Sequence, residues 1–230
     1  MITLFHHPFC PHSRFVRLAL GEFGLDPELV EERVWERRRE FLLLNADGTT
    51  PVLVETAMPG VPGAGVIAEY LDETRGVALG ERRLMPDDPR GRAEVRRLTN
   101  WFNVKFFQEA SSWLVSEKIY KRFMPGARGG GAPDTEAIHA ARSNIRYHLR
   151  YIGHLIGARN WLAGDRLSFA DLAAAAHLSS IDYLGDVPWG EDEAAKNWYA
   201  RVKSRPSFRP LLADRMAGMT PVETYANLDF

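Results

Sequence analysis

One cysteine, Cys10, stands in a chain of 230 residues. That excludes an internal disulfide and fits a reducing compartment. Charge of either sign is also lacking in excess. The 29 Lys and Arg nearly cancel the 30 Asp and Glu, leaving −1 with histidine neutral, so bulk attraction to nucleic acid or to an anionic membrane is excluded. No apolar run is long enough to span a bilayer. The N-terminus lacks the charged segment, apolar run and small-residue cleavage site of a secretion signal, and the cytoplasm is the expected location. There is no internal repeat, no Gly-rich phosphate loop and no His/Cys/Asp cluster at metal-ligand spacing, so no metal is expected. His6, His7 and His12 lie close together, and a surface or structural role is expected for them.

What is present points to a packed globular protein, with 45% hydrophobic and 26% charged residues. Ile2 to Phe5 reads as a short buried strand. After Pro8 and Pro11, Ser13 can cap a helix whose apolar residues Val16, Ala19, Leu20 and Phe23 fall at helical spacing, with Gly24 to end it. A second strand is expected around Leu29 to Trp35. A solvated charged segment, Glu36 to Glu40, follows, and Phe41 to Leu44 then return to the core. A turn-rich loop, Asn45 to Thr50, leads into a strand headed by Pro51, where a missing N–H costs no ladder bond. A short strand near Val61 and a helix over Val66 to Leu71 complete a β-α-β-β-β-α order.

Residues 76–90 read as a linker after a first domain of residues 1–75. Residues 91–217 then carry helical signals throughout. Val95, Leu98, Trp101, Phe102, Phe106 and Trp113 recur at helical spacing between Arg92 and about Phe123. A loop centred on Gly129 to Gly131 precedes a helix from Asp134 to Gly157. Ser168 to Asp171 is a capping signal that opens a nearly continuous apolar helix to Leu184, a helix for the middle of a domain. Two shorter helices, Glu191 to Lys203 and Ser207 to Met216, are expected next. Residues 218–230 show no periodicity and read as a tail leaving the helical domain.

These motifs carry a resemblance. Phe9-Cys10-Pro11-His12-Ser13-Arg14 with Val16 to Leu20 resembles the opening of the cysteine- and serine-type glutathione transferases. Asn45 to Leu53 is similar to their segment around a cis proline. Ile67 to Leu71 is similar to the helix after their fourth strand, and Trp161 to Asp165 with Ser168, Ala170 and Asp171 to their capped central helix. The resemblance implies a thioredoxin-like N-terminal domain and an all-helical C-terminal domain. It places the glutathione pocket at Cys10, Ser13, Thr50, Pro51, Gly63 and Ala64.

A thiol at a helix N-terminus meets free N–H groups and the positive end of the dipole, and Arg14 and Arg17 add charge nearby. Cys10 could be a nucleophile, Ser13 could hold a glutathione thiolate, or Cys10 could simply fill a tight turn. The resemblance argues against catalysis. Active relatives hold the γ-glutamyl group with an acidic or amide side chain and a serine where this chain has Gly63 and Ala64. Losing two charge-assisted hydrogen bonds costs a few kcal/mol, about a hundredfold in affinity. No cofactor is then required, although backbone N–H groups of Ala64 and Gly65 leave room for weak glutathione binding.

Two features lie outside that pocket. Trp35 precedes the charged stretch from Glu36 to Glu40, and two readings stay open: a partly exposed interface residue, or a ring packed onto the domain with a solvated charge run after it. Trp and Arg dominate protein–protein hot spots. The ending from Thr224 to Phe230 alternates apolar and polar residues and has two readings: a docking peptide with Tyr225, Leu228, Asp229 and Phe230 as partner-binding residues, or a segment that packs back across the helical domain. The Gly63 to Leu71 segment and this ending resemble a branch of glutathione-transferase-like cell-division proteins of alphaproteobacteria. That resemblance implies a non-catalytic homodimeric adaptor for filaments of the tubulin-like GTPase FtsZ, acting on their curvature or bundling at the division site. The alternative is a glutathione-dependent transferase or thiol transferase using Cys10.

Overall fold

The computed structural model describes residues 1–56 and 58–228. The N-terminal part is built on a mixed four-stranded sheet in the order β2-β1-β3-β4. Strand β1 (Ile2–His6) runs parallel to β2 (Glu28–Glu31) and antiparallel to β3 (Val52–Glu55), which pairs antiparallel with the two-residue β4 (Val61–Pro62). Leu4 lies opposite both Leu29 and Leu53. Buried Leu4 and Leu53 face helices α1 (Pro11–Glu22) and α3 (Ala64–Arg75) in the core. Ile67, Ala68 and Leu71 of α3 repeat at one, three and four residues, which gives one buried stripe.

Several local expectations change. Helix α1 is capped by Cys10, not Ser13, and Pro11 occupies its first position, where proline needs no N–H partner. Strand β2 stops at Glu31, and Trp35 lies in a single 3-10 turn, Val34–Glu36. A short helix α2 (Arg39–Leu44) forms where a return to the core was expected. Only Phe41 is buried there, and Leu43 is fully on the surface. Leu43 lies two positions from buried Phe41, about 200° around the helix, and so faces out.

The all-helical part follows a 3-10 stretch, Gly76–Arg82. Helix α4 (Pro89–Asn100) is capped by Asp88 and continues without a break to Phe123. Its hydrogen bonding widens to i→i+5 over Trp101–Ser111 and Ser116–Tyr120, around α5 (Ser112–Val115), and ends in α6 (Lys121–Phe123). Helix α7 (Thr135–Ala158) starts at Asp134, whose carboxylate accepts from the N–H groups of Glu136 and Ala137. Helix α8 (Phe169–Asp182) is the centre of the part, with all fourteen residues buried. Helices α9 (Glu193–Lys203) and α10 (Arg209–Ala213) close it.

The start of α8 is fixed by a capping box. Asp171 Oδ2 accepts from the N–H and hydroxyl of Ser168, at 3.0 and 2.9 Å. Its Oδ1 accepts from the Leu162 N–H and from Trp198 Nε1, both at 2.9 Å. Helices α1 and α8 pack face to face, so Phe15, Leu18 and Ala19 share one core with Phe169, Leu172 and Ala176. That packing fixes the cleft between the sheet and the helices.

Through Tyr225 the tail does not leave the helical part. Tyr225 is fully buried against Phe9 and Tyr183, and its hydroxyl accepts from Arg14 Nη1 at 2.9 Å and donates to the Leu211 carbonyl at 2.9 Å. Lys203 Nζ donates to the Thr224 carbonyl. An aromatic ring and several backbone carbonyls thus gain buried partners, which outweighs an extended tail in water. Among the described residues, no helix is long and apolar enough to cross a membrane, and no group of three or more His, Cys, Asp or Glu could hold a metal ion.

Candidate functional site: a thiol cleft beneath a buried tryptophan

Cys10 ends the turn after β1 and begins α1, so chain geometry alone puts its sulfur at the helix N-terminus. The thiol donates to the Thr50 carbonyl at 3.7 Å, and Thr50–Pro51 is a cis peptide. Burial pushes the thiol up. The adjacent His12 imidazole and the hydroxyl and N–H of Ser13 more than offset this and hold it at about 7. Burial pulls His12 down, but the sulfur beside it raises it on balance. His12 Nε2 lies 2.8 Å from the Asn103 carbonyl. A carbonyl only accepts, so Nε2 carries hydrogen and Nδ1 is the nitrogen left for the thiol's proton. Tyr120 also faces the sulfur, and its hydroxyl is raised well above its ordinary range by burial and by that negative neighbour.

Arg14 and Arg17 do not supply the positive charge expected of them. Arg14 is fully buried and turned away, to the Pro8 carbonyl, Ser179, Tyr225 and Asp214. Arg17 makes a two-pronged pair with Asp214 at 2.7 and 3.0 Å. Both tie α1 to the segment leading into the tail. Of the three clustered histidines, His6 and His7 are buried behind the sheet edge. His12 alone stands in the site. Its signal was its place two residues after the helix cap, on the same first turn as the thiol. Tyr120 and Asn103 carried no local signal, because only the packing of the long helix brings them to Cys10.

Cys10 opens into a cavity of about 720 Å³ between the sheet part and the helices. Cys10, Thr50, Gly63 and Ala64 line it, together with apolar Met85, Val104, Phe107 and Val115. Ser13 and Pro51 stand behind the wall. Ser13 is fully buried, and its hydroxyl accepts from the His7 N–H. It is therefore placed to tune Cys10 and not to touch a ligand. Gly63 caps α3 with φ of 90°, a conformation that glycine adopts freely and a side-chain-bearing residue resists. No side chain caps α3, so the first N–H groups of Ala64 and Gly65 face the cavity without a side-chain partner. Arg96, on the opposite wall, is held by Glu69 through two 2.8 Å hydrogen bonds. The cavity thus offers backbone donors to an anion but no side chain in the γ-glutamyl positions.

A second cleft of about 680 Å³ shares Val34, Asp47, Thr49, Ser116 and Tyr120 with the first. Trp35 lines it but is only 9% exposed, which matches the packed of its two readings. Its ring packs on His7 and Tyr120, and its carbonyl accepts from Arg128. His7 follows β1, Tyr120 comes from the long helix and Arg128 from the glycine-rich loop, so the charged stretch beside Trp35 did not decide its burial. Arg37, Lys121 and Arg128 make the rim of this cleft basic. Of the tail residues, Tyr225 is an internal anchor and not a free one, whereas Leu228 is 39% exposed. Asp229 and Phe230 lie outside the described residues.

A mixed four-stranded sheet with a cis proline facing a helix-capping thiol, followed by an all-helical part, defines a glutathione-transferase fold. The chain matches the glutathione S-transferase N-terminal domain over residues 4–82 and the C-terminal domain over residues 113–206. It belongs to the glutathione S-transferase family. It is 48% identical to FtsZ-localized protein A of Caulobacter vibrioides over 99% of this chain and 98% of that one. The crystal structure of a glutathione S-transferase from Sinorhizobium meliloti 1021 superposes over the whole of both chains with a TM-score of 0.98 and 55% identity. FzlA from C. crescentus superposes with a TM-score of 0.91 and 48% identity, over 100% of this chain and 99% of that one.

Proposed function

We propose that this chain is a non-catalytic adaptor that associates with FtsZ filaments at the division site in the cytoplasm and alters their curvature or bundling. The observation that carries the reading is the end-to-end likeness to FtsZ-localized protein A. Gly63 and Ala64 support it, since neither side chain can grip a γ-glutamyl group. The partner-binding residues are Trp35, at the basic cleft, and the tail end Leu228, Asp229 and Phe230. A homodimer is proposed on family grounds, and two weak sites on one filament would then add avidity.

Co-sedimentation with FtsZ filaments tests this. Wild-type protein pellets with filaments. A chain ending at Asn227, which keeps the buried Tyr225, and Asp229→Lys each bind about tenfold more weakly, a loss of about 1.4 kcal/mol. Wild-type protein that stays in the supernatant sinks the adaptor reading. Wild-type binding with unchanged variants sinks only the role of the tail.

A second reading, a glutathione-dependent transferase or thiol transferase, is favoured by one observation: the Cys10 thiol held at about 7 beside His12. Calorimetric titration with glutathione separates the two. Saturable binding that survives in Cys10→Ser, with turnover lost, supports the enzyme. No heat of binding at millimolar glutathione removes it.

A further inference from the structure

The tail is fastened by side chains that also grip the turn before Cys10. Phe9, Val115, Ile119, Tyr183 and Tyr225 form a second core, each at most 2% exposed, apart from the one that joins the two parts of the fold. Tyr225 enters it from the tail. Phe9, the residue before Cys10, enters it from the turn. The Tyr183 ring lies against both, with its centroid 5.1 Å from that of Tyr225 and 4.4 Å from that of Phe9. Val115 also lines the thiol cavity, and so does Tyr120, which packs on the same core. Arg14 makes a second bridge. Its Nη1 donates to the Tyr225 hydroxyl at 2.9 Å, its Nε donates to the Pro8 carbonyl at 2.7 Å, and its guanidinium lies 4.6 Å from the Phe9 ring centroid. The rest of the tail holds on lightly. The Tyr183 hydroxyl donates to the Met219 carbonyl and Lys203 to the Thr224 carbonyl. Among the described residues, none after Leu212 belongs to the larger core.

We infer that the tail is a strap coupled to the thiol: seating Tyr225 fixes the turn from Pro8 to Cys10, and lifting it frees that turn while the larger core stays packed. The two states differ in named contacts. Seated, Tyr225 fills the second core and satisfies Arg14 and the Leu211 carbonyl. Lifted, its place beside Tyr183 opens to water, and buried Arg14 keeps Pro8, Ser179 and Asp214 but loses the Tyr225 hydroxyl. The segment has one 3-10 turn, Glu223–Tyr225, and one isolated bridge, Met216 to Met219. Held by one ring and a few hydrogen bonds, it opens at a lower free energy than the helices do. The sulfur itself faces His12 and Ser13 on α1, Tyr120 on the long helix and the Thr50 carbonyl. Among the described residues none of these is hydrogen-bonded to the tail, so the tail reaches the sulfur through Phe9 and the wall that Val115 and Tyr120 make. By linkage, a partner that draws the tail off its seat also frees the turn, and a ligand that fixes the turn holds the strap down. Tyr225 is thus a positioning residue for Cys10, and the coupling does not depend on whether the chain meets a filament.

Hydrogen exchange read by mass spectrometry on the full chain tests the coupling in wild type, Tyr225→Phe, Tyr225→Ala and Ile152→Val. The last loosens the larger core on α7 and controls for general destabilisation. In Tyr225→Ala, peptides over the tail and over the turn should both exchange at least roughly tenfold faster, while α8 keeps its wild-type protection. Tyr225→Phe, which keeps the ring and loses the bond to Arg14, should move both segments in the same direction by less. Ile152→Val should leave the turn as in wild type. Alkylation by iodoacetamide reads the sulfur. In Tyr225→Ala its midpoint should rise by at least roughly half a pH unit toward that of free cysteine, because a loosened turn no longer holds the thiol against His12 and Ser13. A tail that exchanges faster above an unchanged turn overturns the coupling. So does an unchanged alkylation midpoint, or a turn loosened as much by Ile152→Val. If Tyr225→Ala does not fold, Tyr225→Phe decides: tail and turn loosened together support the strap, and any other result overturns it.

Discussion

Cys10 and His12 are two residues apart, yet only one of them announced its role. The cysteine was legible because a thiol at a helix start is unusual and meets N–H groups that stabilise its anion. The histidine was not, because a histidine beside two others in an apolar turn reads as structural until packing shows which ones are enclosed. His6 and His7 are enclosed, and His12 shares the cavity with the sulfur. The pairing has a measurable consequence. Alkylation of Cys10 by iodoacetamide should follow thiolate formation, rising with pH through a midpoint near the 7 at which the fold holds the thiol. His177, whose ring packs on His12, stays neutral through that range, because burial and then His12 push it well below its ordinary value. It adds no second inflection. In His12→Gln the hydrogen-bonding and charge support is lost while the burial remains, so the midpoint should move upward. A His12→Gln profile that overlays the wild-type one would show that His12 does not hold the thiolate.

Elements were legible where their signals were internal. Helix α8 is an example: Ser168 and Asp171 set its start, and an unbroken apolar run demanded a central place. The long helix after Pro89 was legible as a helix, but its widened turns were not, because the i→i+5 pattern depends on what packs against it. Helix α2 was missed because six residues give too little periodicity to detect. The tail stayed ambiguous for the opposite reason. Its alternation is real, but Arg14, nearly the whole chain away in sequence, claims the Tyr225 hydroxyl. At this scale Asp171 is the most consequential single side chain. Its two oxygens satisfy a cap, a loop N–H and the Trp198 indole. Asp171→Ala would strand those buried donors together and should lower unfolding stability by roughly 3 kcal/mol or more, read as a shift in the urea midpoint. A loss below about 1 kcal/mol would show that water replaces the carboxylate at the cap.

At the scale of the whole molecule, the order of strands and helices gave away two parts but not how continuously they join. Phe15 and Leu18 of the first part and Leu172 and Trp198 of the second belong to one core. The cleft is therefore held by packing on both sides, and acid stability becomes a property of the entire fold. Four histidines enter that fold neutral. Burial, then Arg17 and Arg14, hold His6 at about 3. Burial, then His6 and nearby arginines, hold His7 at about 3. Burial is also the leading cause that lowers His148 and His177. In the unfolded chain each takes a proton near 6.5. Below that pH the unfolded state therefore binds more protons than the native state, and stability must fall as pH falls, by up to about 1.4 kcal/mol per pH unit for each histidine. His12 acts with the opposite sign. Its raised value adds stability below the ordinary histidine range that is lost as pH rises, so it contributes no slope once both states are protonated. The carboxylate Glu94, held at about 2, titrates near the ordinary carboxylate range and below, at a more acid pH than this window. Urea unfolding at pH 7.5, 6 and 5 should thus show stability already falling by pH 6, with a further decline corresponding to more than one proton between pH 6 and 5. A slope of zero there would mean that these histidines are protonated inside the folded protein, and His6 Nδ1, buried with no partner, would then have to find one.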